Sequence, residues 1–152
     1  VQKPERNDAE VVVRELRLED YDALAALWRE AGLPYRPEGR DAREAIARQL
    51  KERTAVYLVA EVAGTIVGAV LGTHDGRKGW INRLAVLPAY GRRRVGAQLL
   101  AEAERRLAAL GIEIFACLVE DWNDGSKGFF EKSGYKPFQG VSYYTKRKYG
   151  DV

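Results

Sequence analysis

The chemistry-bearing residues of this chain concentrate in one stretch, Trp80-Ile-Asn-Arg-Leu-Ala-Val-Leu-Pro-Ala-Tyr-Gly-Arg-Arg-Arg-Val-Gly-Ala-Gln-Leu-Leu100. The apolar residues up to Leu87 read as a strand, the next few as a turn, and those from about Arg93 to Leu110 as an amphipathic helix. A helix start carries backbone amides without partners and a partial positive charge, so it suits a phosphate. Arg92, Arg93 and Arg94 add three full charges at that point. Cations there oppose the helix dipole by about 0.3–1 kcal/mol each. Their placement makes sense if an anion neutralises them. Residues 80–100 therefore read as a diphosphate-binding element.

A second group follows in Asn123-Asp-Gly-Ser-Lys-Gly-Phe-Phe-Glu-Lys-Ser-Gly-Tyr135. Asn123 is a natural helix cap. Ser126 sits one turn later, and Phe129 with Phe130 reads as packing. The acid–base candidates outside these groups are His74, whose ordinary pKa near 6.5 suits proton transfer, and the carboxylates Glu120 and Asp121. One cysteine and one histidine cannot build a zinc site, and no metal is expected. Cys117 lies mid-strand and reads as core.

The positioning elements are legible from periodicity. Val11–Leu18 reads as a first strand. A helix opens at Glu19 and Asp20, places Tyr21, Leu24, Leu27 and Trp28 on one face, and ends at Gly32. Residues 33–40 form a polar-aromatic loop. Asp41 with Glu44 predicts a capping box for a helix to Leu50. Strands Ala55–Val62 and Thr65–Gly72 flank a tight Ala63-Gly64 hairpin. The turn His74–Gly79 leads to strand Trp80–Leu87. After the helix, which carries Glu102 and Arg106 as an outer pair, come strand Ile112–Val119 and a helix over about 123–132. Two short strands are expected around Gly140, over Tyr135–Tyr149. The order is βααβββαβαββ, an α+β fold with a mostly antiparallel sheet and one parallel crossover. With 152 residues, 46% of them hydrophobic, this is a single domain over 9–152 behind a disordered tail of residues 1–8.

Composition excludes some classes. The net charge of +3 is too low, and recognition motifs too absent, for the basic runs Arg92–Arg94 and Lys146–Lys148 to argue for a nucleic-acid binder. No apolar run approaches the roughly 20 residues of a membrane span, and no export signal is visible. The expected location is the cytoplasm.

The element order and the two motifs resemble the GNAT superfamily of acyl-CoA-dependent N-acetyltransferases, over about Val11 to Tyr149. The strongest parts are Leu84-Ala-Val-Leu-Pro with Arg92-Arg-Arg-Val-Gly-Ala, and the segment Asn123–Tyr135, which is similar to the family's N-x-x-A-x-x-F-Y-E-K-x-G-F/Y. Two departures stand out. Arg94 occupies the usual middle glycine of the phosphate turn, and Phe130 the place where many relatives carry a tyrosine that protonates the departing thiolate.

The resemblance implies acetyl-CoA as acyl donor and a primary amine as acceptor, with no metal. It implies that Leu84, Ala85 and Val86 hold the pantetheine arm and that Arg92, Arg93, Arg94, Val95, Gly96 and Ala97 cradle the pyrophosphate. Arg92 and Arg93 also come within reach of the 3′-phosphate, Asn123 and Ser126 meet the pantetheine, and Phe130 borders the thioester. Trp80 stands near where some relatives place a glutamate base, so Glu120 or His74 is expected to take that role. Tyr144, Tyr143 or Tyr135 would supply the acid. Tyr35, Arg36, Glu38 and Arg40 would form the acceptor wall. An acyl-CoA sensor without turnover is the alternative. A homodimer through the Tyr143–Lys148 strand is a further option.

Overall fold

The computed structural model describes residues 9–150. The expected disordered tail, residues 1–8, lies outside them. Five strands form one sheet in the order β1-β2-β3-β4-β5. They are β1 (Val11–Glu15), β2 (Ala55–Val62), β3 (Thr65–His74), β4 (Gly79–Val86) and β5 (Phe115–Ala116). Neighbours are antiparallel up to β4, and β4 with β5 is parallel, across the expected helical crossover.

Helices α1 (Tyr21–Glu30) and α2 (Arg43–Gln49) cover one face, while α3 (Val95–Ala109) and α4 (Asp124–Lys132) cover the other. The stripe Tyr21, Leu24, Leu27 and Trp28 is buried against Val59, Ala69, Leu71 and Ala85. Val95, Leu99, Leu100, Ala103 and Leu107 of α3 pack on Leu58, Val67, Val70 and Ile81 from the opposite side. Helix α3 rests directly on β3 at Gly68. A Cβ there would come 2.9 Å from Leu99 Cδ1, 3.0 Å from Val95 Cγ1 and 3.1 Å from the Ala85 carbonyl oxygen. The Glu102–Arg106 pair forms at 2.9 Å, and Arg106 reaches Glu15 of β1 at 2.8 Å.

The β2–β3 hairpin turns at Ala63 (φ 49°) and Gly64 (φ 79°), as their spacing predicts. Two left-handed residues match the twist of the strands they join.

Four expectations need correction. The first strand stops at Glu15, because Asp20 reaches back to accept from the Arg17 amide at 2.8 Å and bends the chain into a short 3₁₀ turn over Leu18–Asp20. Strand β3 runs on through His74. The turn after it is tighter, with Asp75 Oδ1 accepting from the Arg77 and Lys78 amides. Asp41 does not cap α2. The N-cap is Ala42 and has no side-chain bond, while Asp41 is turned inward and 2% exposed. Its Oδ2 accepts from the Arg36 amide at 2.8 Å.

The fourth correction concerns the end of the chain. β5 is two residues long rather than eight, and the two strands expected over Tyr135–Tyr149 are absent. A strand needs neighbours to be stable. No described strand lies beside residues 136–150, every one of which is exposed.

Candidate acyl-coenzyme site

The site is built around a fault in β4. Ala85 pairs with Ala69 and Asn82 with Leu71, so Arg83 and Leu84 together oppose Val70. Two residues facing one is a β-bulge, and each extra residue reverses which face later side chains occupy. Without it Leu84 would point toward α1. With it, Leu84 and Val86 turn toward α3 and α4, while Ala85 packs under α1.

β4 also parts from β5. The strands pair only at Gly79–Phe115 and Trp80–Ala116. Beyond Trp80 the β5 side of β4 has no strand beside it among the described residues. The opening runs into a cleft of about 180 Å³ lined by Leu84, Val86, Gly96, Ser126, Phe129 and Phe130.

The start of α3 closes one end of this cleft. The first helical bond is donated by the Gln98 amide to the Arg94 carbonyl at 3.1 Å. The amides of Val95, Gly96 and Ala97 precede it, so they have no acceptor within the helix. Arg94 holds the N-cap position at φ 59°, a left-handed conformation that favours glycine. The residue that replaces the family's glycine thus keeps glycine's backbone shape. Arg92 and Arg94 are exposed. Arg93 is half-buried, donating to the Ala9 carbonyl at 3.2 Å and lying 5.5 Å from the Tyr90 ring. The small Gly96 lets α3 approach Phe129 and Val86, which an added Cβ would meet at 3.4 and 3.6 Å.

The other end is α4. Asn123 caps it, its Oδ1 accepting from the Ser126 amide at 3.0 Å. That leaves the Asn123 Nδ2 as the side chain's remaining donor. Phe130 is buried, edge-on to Phe129 and to Tyr135, each at 5.2 Å between centroids. Tyr135 donates to Glu104 at 3.2 Å, and burial raises its pKa above the usual tyrosine range. Burial also pushes the Cys117 thiol up to about 11, so it is a packing residue at neutral pH.

Glu120 is exposed, and its carbonyl accepts from the Asn123 amide at 2.9 Å in the turn that enters α4. His74 is not brought to the cleft. Val86 pairs with Gly68, and His74 lies six residues further along β3, about 20 Å away at ~3.4 Å per residue. His74 Nδ1 instead accepts from the Gly76 amide at 3.1 Å. Tyr144 is 90% exposed in the segment without secondary structure, so this chain's own fold does not carry it to the cleft either.

On the α1 face the loop 33–41 is fastened rather than free. Arg83, at φ 50° in the bulge, lays its guanidinium 4.2 Å from the Trp28 ring centroid. It donates to the Pro34 carbonyl at 2.7 Å and lies 3.4 Å from the Asp41 carboxylate. Burial, the larger influence, holds Arg83 below the usual arginine range, and Asp41 opposes that shift. Arg83 Nε and Trp28 Nε1 are buried without hydrogen-bond partners. Tyr21 donates to the Asp41 carbonyl at 2.7 Å and meets the Tyr35 hydroxyl at 2.9 Å. Burial, helped by Tyr35, pushes Tyr21 up to about 12. Of the expected acceptor wall, Tyr35 is thus half-buried in this network, while Arg36, Glu38 and Arg40 are exposed. Sequence reading missed Arg83. Its signal was the one charged residue in the strand Gly79–Val86.

A sequence profile of the acetyltransferase (GNAT) family matches residues 20–135. The chain belongs to the GNAT family of acetyltransferases. An acetyltransferase of Pectobacterium atrosepticum is 35% identical over 124 residues, covering 82% of this chain and 86% of that protein. An acetyltransferase of Yersinia pseudotuberculosis matches to the same extent. Among solved structures, PaiA N-acetyltransferase from Thermoplasma acidophilum in complex with coenzyme A superposes with a TM-score of 0.75. It is 22% identical over 84% of this chain and 90% of that one. AAC(6′)-Iy in complex with a bisubstrate analogue superposes with a TM-score of 0.79, at 18% identity over 91% and 99%. These likenesses establish a GNAT fold and an acyltransferase.

Proposed function

We propose that this GNAT enzyme moves an acetyl group from acetyl-CoA to a primary amine, on a small molecule or on a protein N-terminus or lysine, by direct attack on the thioester. The observation that carries the reading is one continuous path. The unpaired side of β4 leads past Leu84 and Val86 to the free amides of Val95, Gly96 and Ala97. A pantetheine arm can pair with the strand as an added half-strand, and the pyrophosphate then arrives at the helix start between Arg92 and Arg94.

The amine must first lose its ammonium proton. Its lone pair then forms the C–N bond while the carbonyl electrons pass to oxygen; the oxygen then re-forms the carbonyl as the C–S bond breaks to release the thiolate, and the nitrogen gives up a second proton to leave the neutral amide. Backbone N–H groups of β4 can polarise the carbonyl. Of the candidate bases, Glu120 is kept because it is exposed three residues before Asn123, the cap of α4. Phe130 has no proton to give, so solvent or another hydroxyl protonates the thiolate.

Two measurements test the proposal. Arg92→Ala should weaken acetyl-CoA binding about tenfold in calorimetry, the loss of one charge-assisted contact. An unchanged affinity would remove the phosphate assignment. Thiol release from acetyl-CoA across a panel of amines separates the enzyme from an acyl-CoA sensor, a second reading that rests on Phe130. Binding without release for every amine favours the sensor.

A further inference from the structure

One residue belongs to both faces of the sheet. Arg83 and Leu84 are neighbours in the bulge of β4. Leu84 lines the cleft on the α3 and α4 side. Arg83 goes the other way, with its guanidinium 4.2 Å from the ring centroid of the fully buried Trp28. From there it donates to the Pro34 carbonyl at 2.7 Å and meets the Asp41 carboxylate at 3.4 Å. A single side chain thus joins the main chain that borders the cleft to the loop 33–41.

Asp41 closes that loop on itself. Its Oδ2 accepts from the Arg36 amide at 2.8 Å, and its own amide donates to the Arg36 carbonyl at 3.2 Å. The Ala42 amide donates to the Gly39 carbonyl at 3.1 Å. The carboxylate that holds the turn together is therefore the one that faces Arg83. A shift of the guanidinium reaches the whole turn 36–41 rather than one side chain.

The hold is finely balanced. In its favour are the Pro34 bond, the ring contact and the attraction to Asp41. Three costs oppose it. Both charges are buried, the Arg83 side chain to 15% exposure and the Asp41 side chain to 3%, and desolvation offsets much of the attraction within a buried pair. Arg83 Nε is buried without a hydrogen-bond partner, so the solvation of that donor is lost. The Arg83 backbone sits at φ 50°, a left-handed conformation that residues other than glycine adopt at a cost. Opposed terms of this kind make a contact that a modest bias can tip.

We infer that Arg83 is a positioning residue that couples the two sites: occupation of the cleft along β4 fixes the bulge, and through Arg83 the loop 33–41 tightens against the sheet. Because the occupant is the pantetheine arm of acetyl-CoA, pairing with β4 as an added half-strand, this coupling rests on the proposed function. It adds the regulation of that site. The cleft and the loop lie on opposite faces of the sheet, so the coupling needs no contact between coenzyme and loop. It is also reciprocal. The factor by which coenzyme strengthens loop closure is the factor by which a closed loop strengthens coenzyme binding.

Hydrogen exchange of the full-length protein, with and without saturating coenzyme A, reads the loop. Peptides covering 34–42 contain the hydrogen-bonded amides of Arg36, Gly39, Asp41 and Ala42. Coenzyme A should slow exchange there about fivefold, the lower end of typical coupling between sites. In Arg83→Met the ratio of rates without and with coenzyme A should fall to about one, and coenzyme A affinity in calorimetry should fall by the same factor of about five. The ratio separates coupling from simple fastening. If Arg83 only fastens the loop, the methionine variant exchanges faster in both states and keeps the ratio, which overturns the inference. So does wild-type loop exchange that coenzyme A leaves unchanged, a comparison that stands even if Arg83→Met fails to fold. Calorimetry on the wild type keeps the two readings apart. Coenzyme A that binds without slowing the loop overturns the coupling alone, whereas coenzyme A that does not bind overturns the proposed function and the coupling with it.

Discussion

Removing the Asp41 carboxylate tests whether the bulge of β4 and the loop over α1 are held by one buried charge pair. Asp41 is the one charged residue in the buried class among the described residues, and it faces a guanidinium whose side chain is 15% exposed. Breaking a buried pair by deleting one partner costs about 3–5 kcal/mol, because the other charge is left uncompensated. Here Arg83 keeps the Pro34 carbonyl and the Trp28 ring, so the lower end, about 3 kcal/mol, applies to Asp41→Ala. For a chain of this size that is about 6–12 °C in Tm. Arg83→Met/Asp41→Ala removes both charges and keeps the volume over Trp28. It should recover at least about 1 kcal/mol relative to Asp41→Ala alone. Urea unfolding of the wild type, both single variants and the double variant completes the cycle. Costs that add to within about 0.5 kcal/mol would show that the 3.4 Å pair carries no coupling, and would sink the view that Arg83 fastens the loop to the bulge.

Arg94→Gly should stabilise the fold by about 0.5–1 kcal/mol over Arg94→Ala. Glycine relieves the left-handed backbone at φ 59° and alanine does not; equal melting temperatures would show that the N-cap is unstrained. The pH dependence of stability should carry the signature of Asp20. Its hydrogen bonds to Arg14, at 2.7 and 2.9 Å, hold its carboxyl below the ordinary 3.8. A depressed carboxyl contributes stability that is complete above its unfolded value and is lost as pH falls through the lower folded one. Denaturation followed from pH 6 to pH 2 should therefore show a loss beginning near pH 4 that is shallower in Arg14→Met. Parallel curves would contradict the assignment.

Much of this fold was legible because its signals are local. The stripe of Tyr21, Leu24, Leu27 and Trp28 declares α1, Ala63-Gly64 declares its hairpin, and Asn123 declares the cap of α4. The bulge was not legible. Arg83 and Leu84 oppose a single residue only because β3 pairs with β4 in a particular register, and nothing in the local sequence distinguishes a strand with one residue too many. Asp41 read as a cap because its spacing to Glu44 fits one. Its partner Arg83 is 42 residues away, and burial beside that cation outweighed the capping preference. His74 was misplaced by the same limit, since sheet direction decides which end of β3 meets the cleft. The segment after Tyr135 has the composition of a strand, but a strand's existence depends on a neighbour that composition does not supply.

The missing side chain at Gly68 reaches further than the packing it permits. A methyl group there would strike the Ala85 carbonyl oxygen, which belongs to the strand and cannot rotate aside as a leucine tip can. The methyl would also meet Val95 Cγ1 at 3.0 Å, on a stiff β-branched side chain, so the start of the helix above would have to give by a few tenths of an ångström, carrying its three amides with it while every residue that lines the cleft stayed the same. On the proposed function, the hold on a phosphate is thus adjustable from the floor beneath it. Variants of this scaffold could trade coenzyme affinity for looseness through a position that never meets the coenzyme.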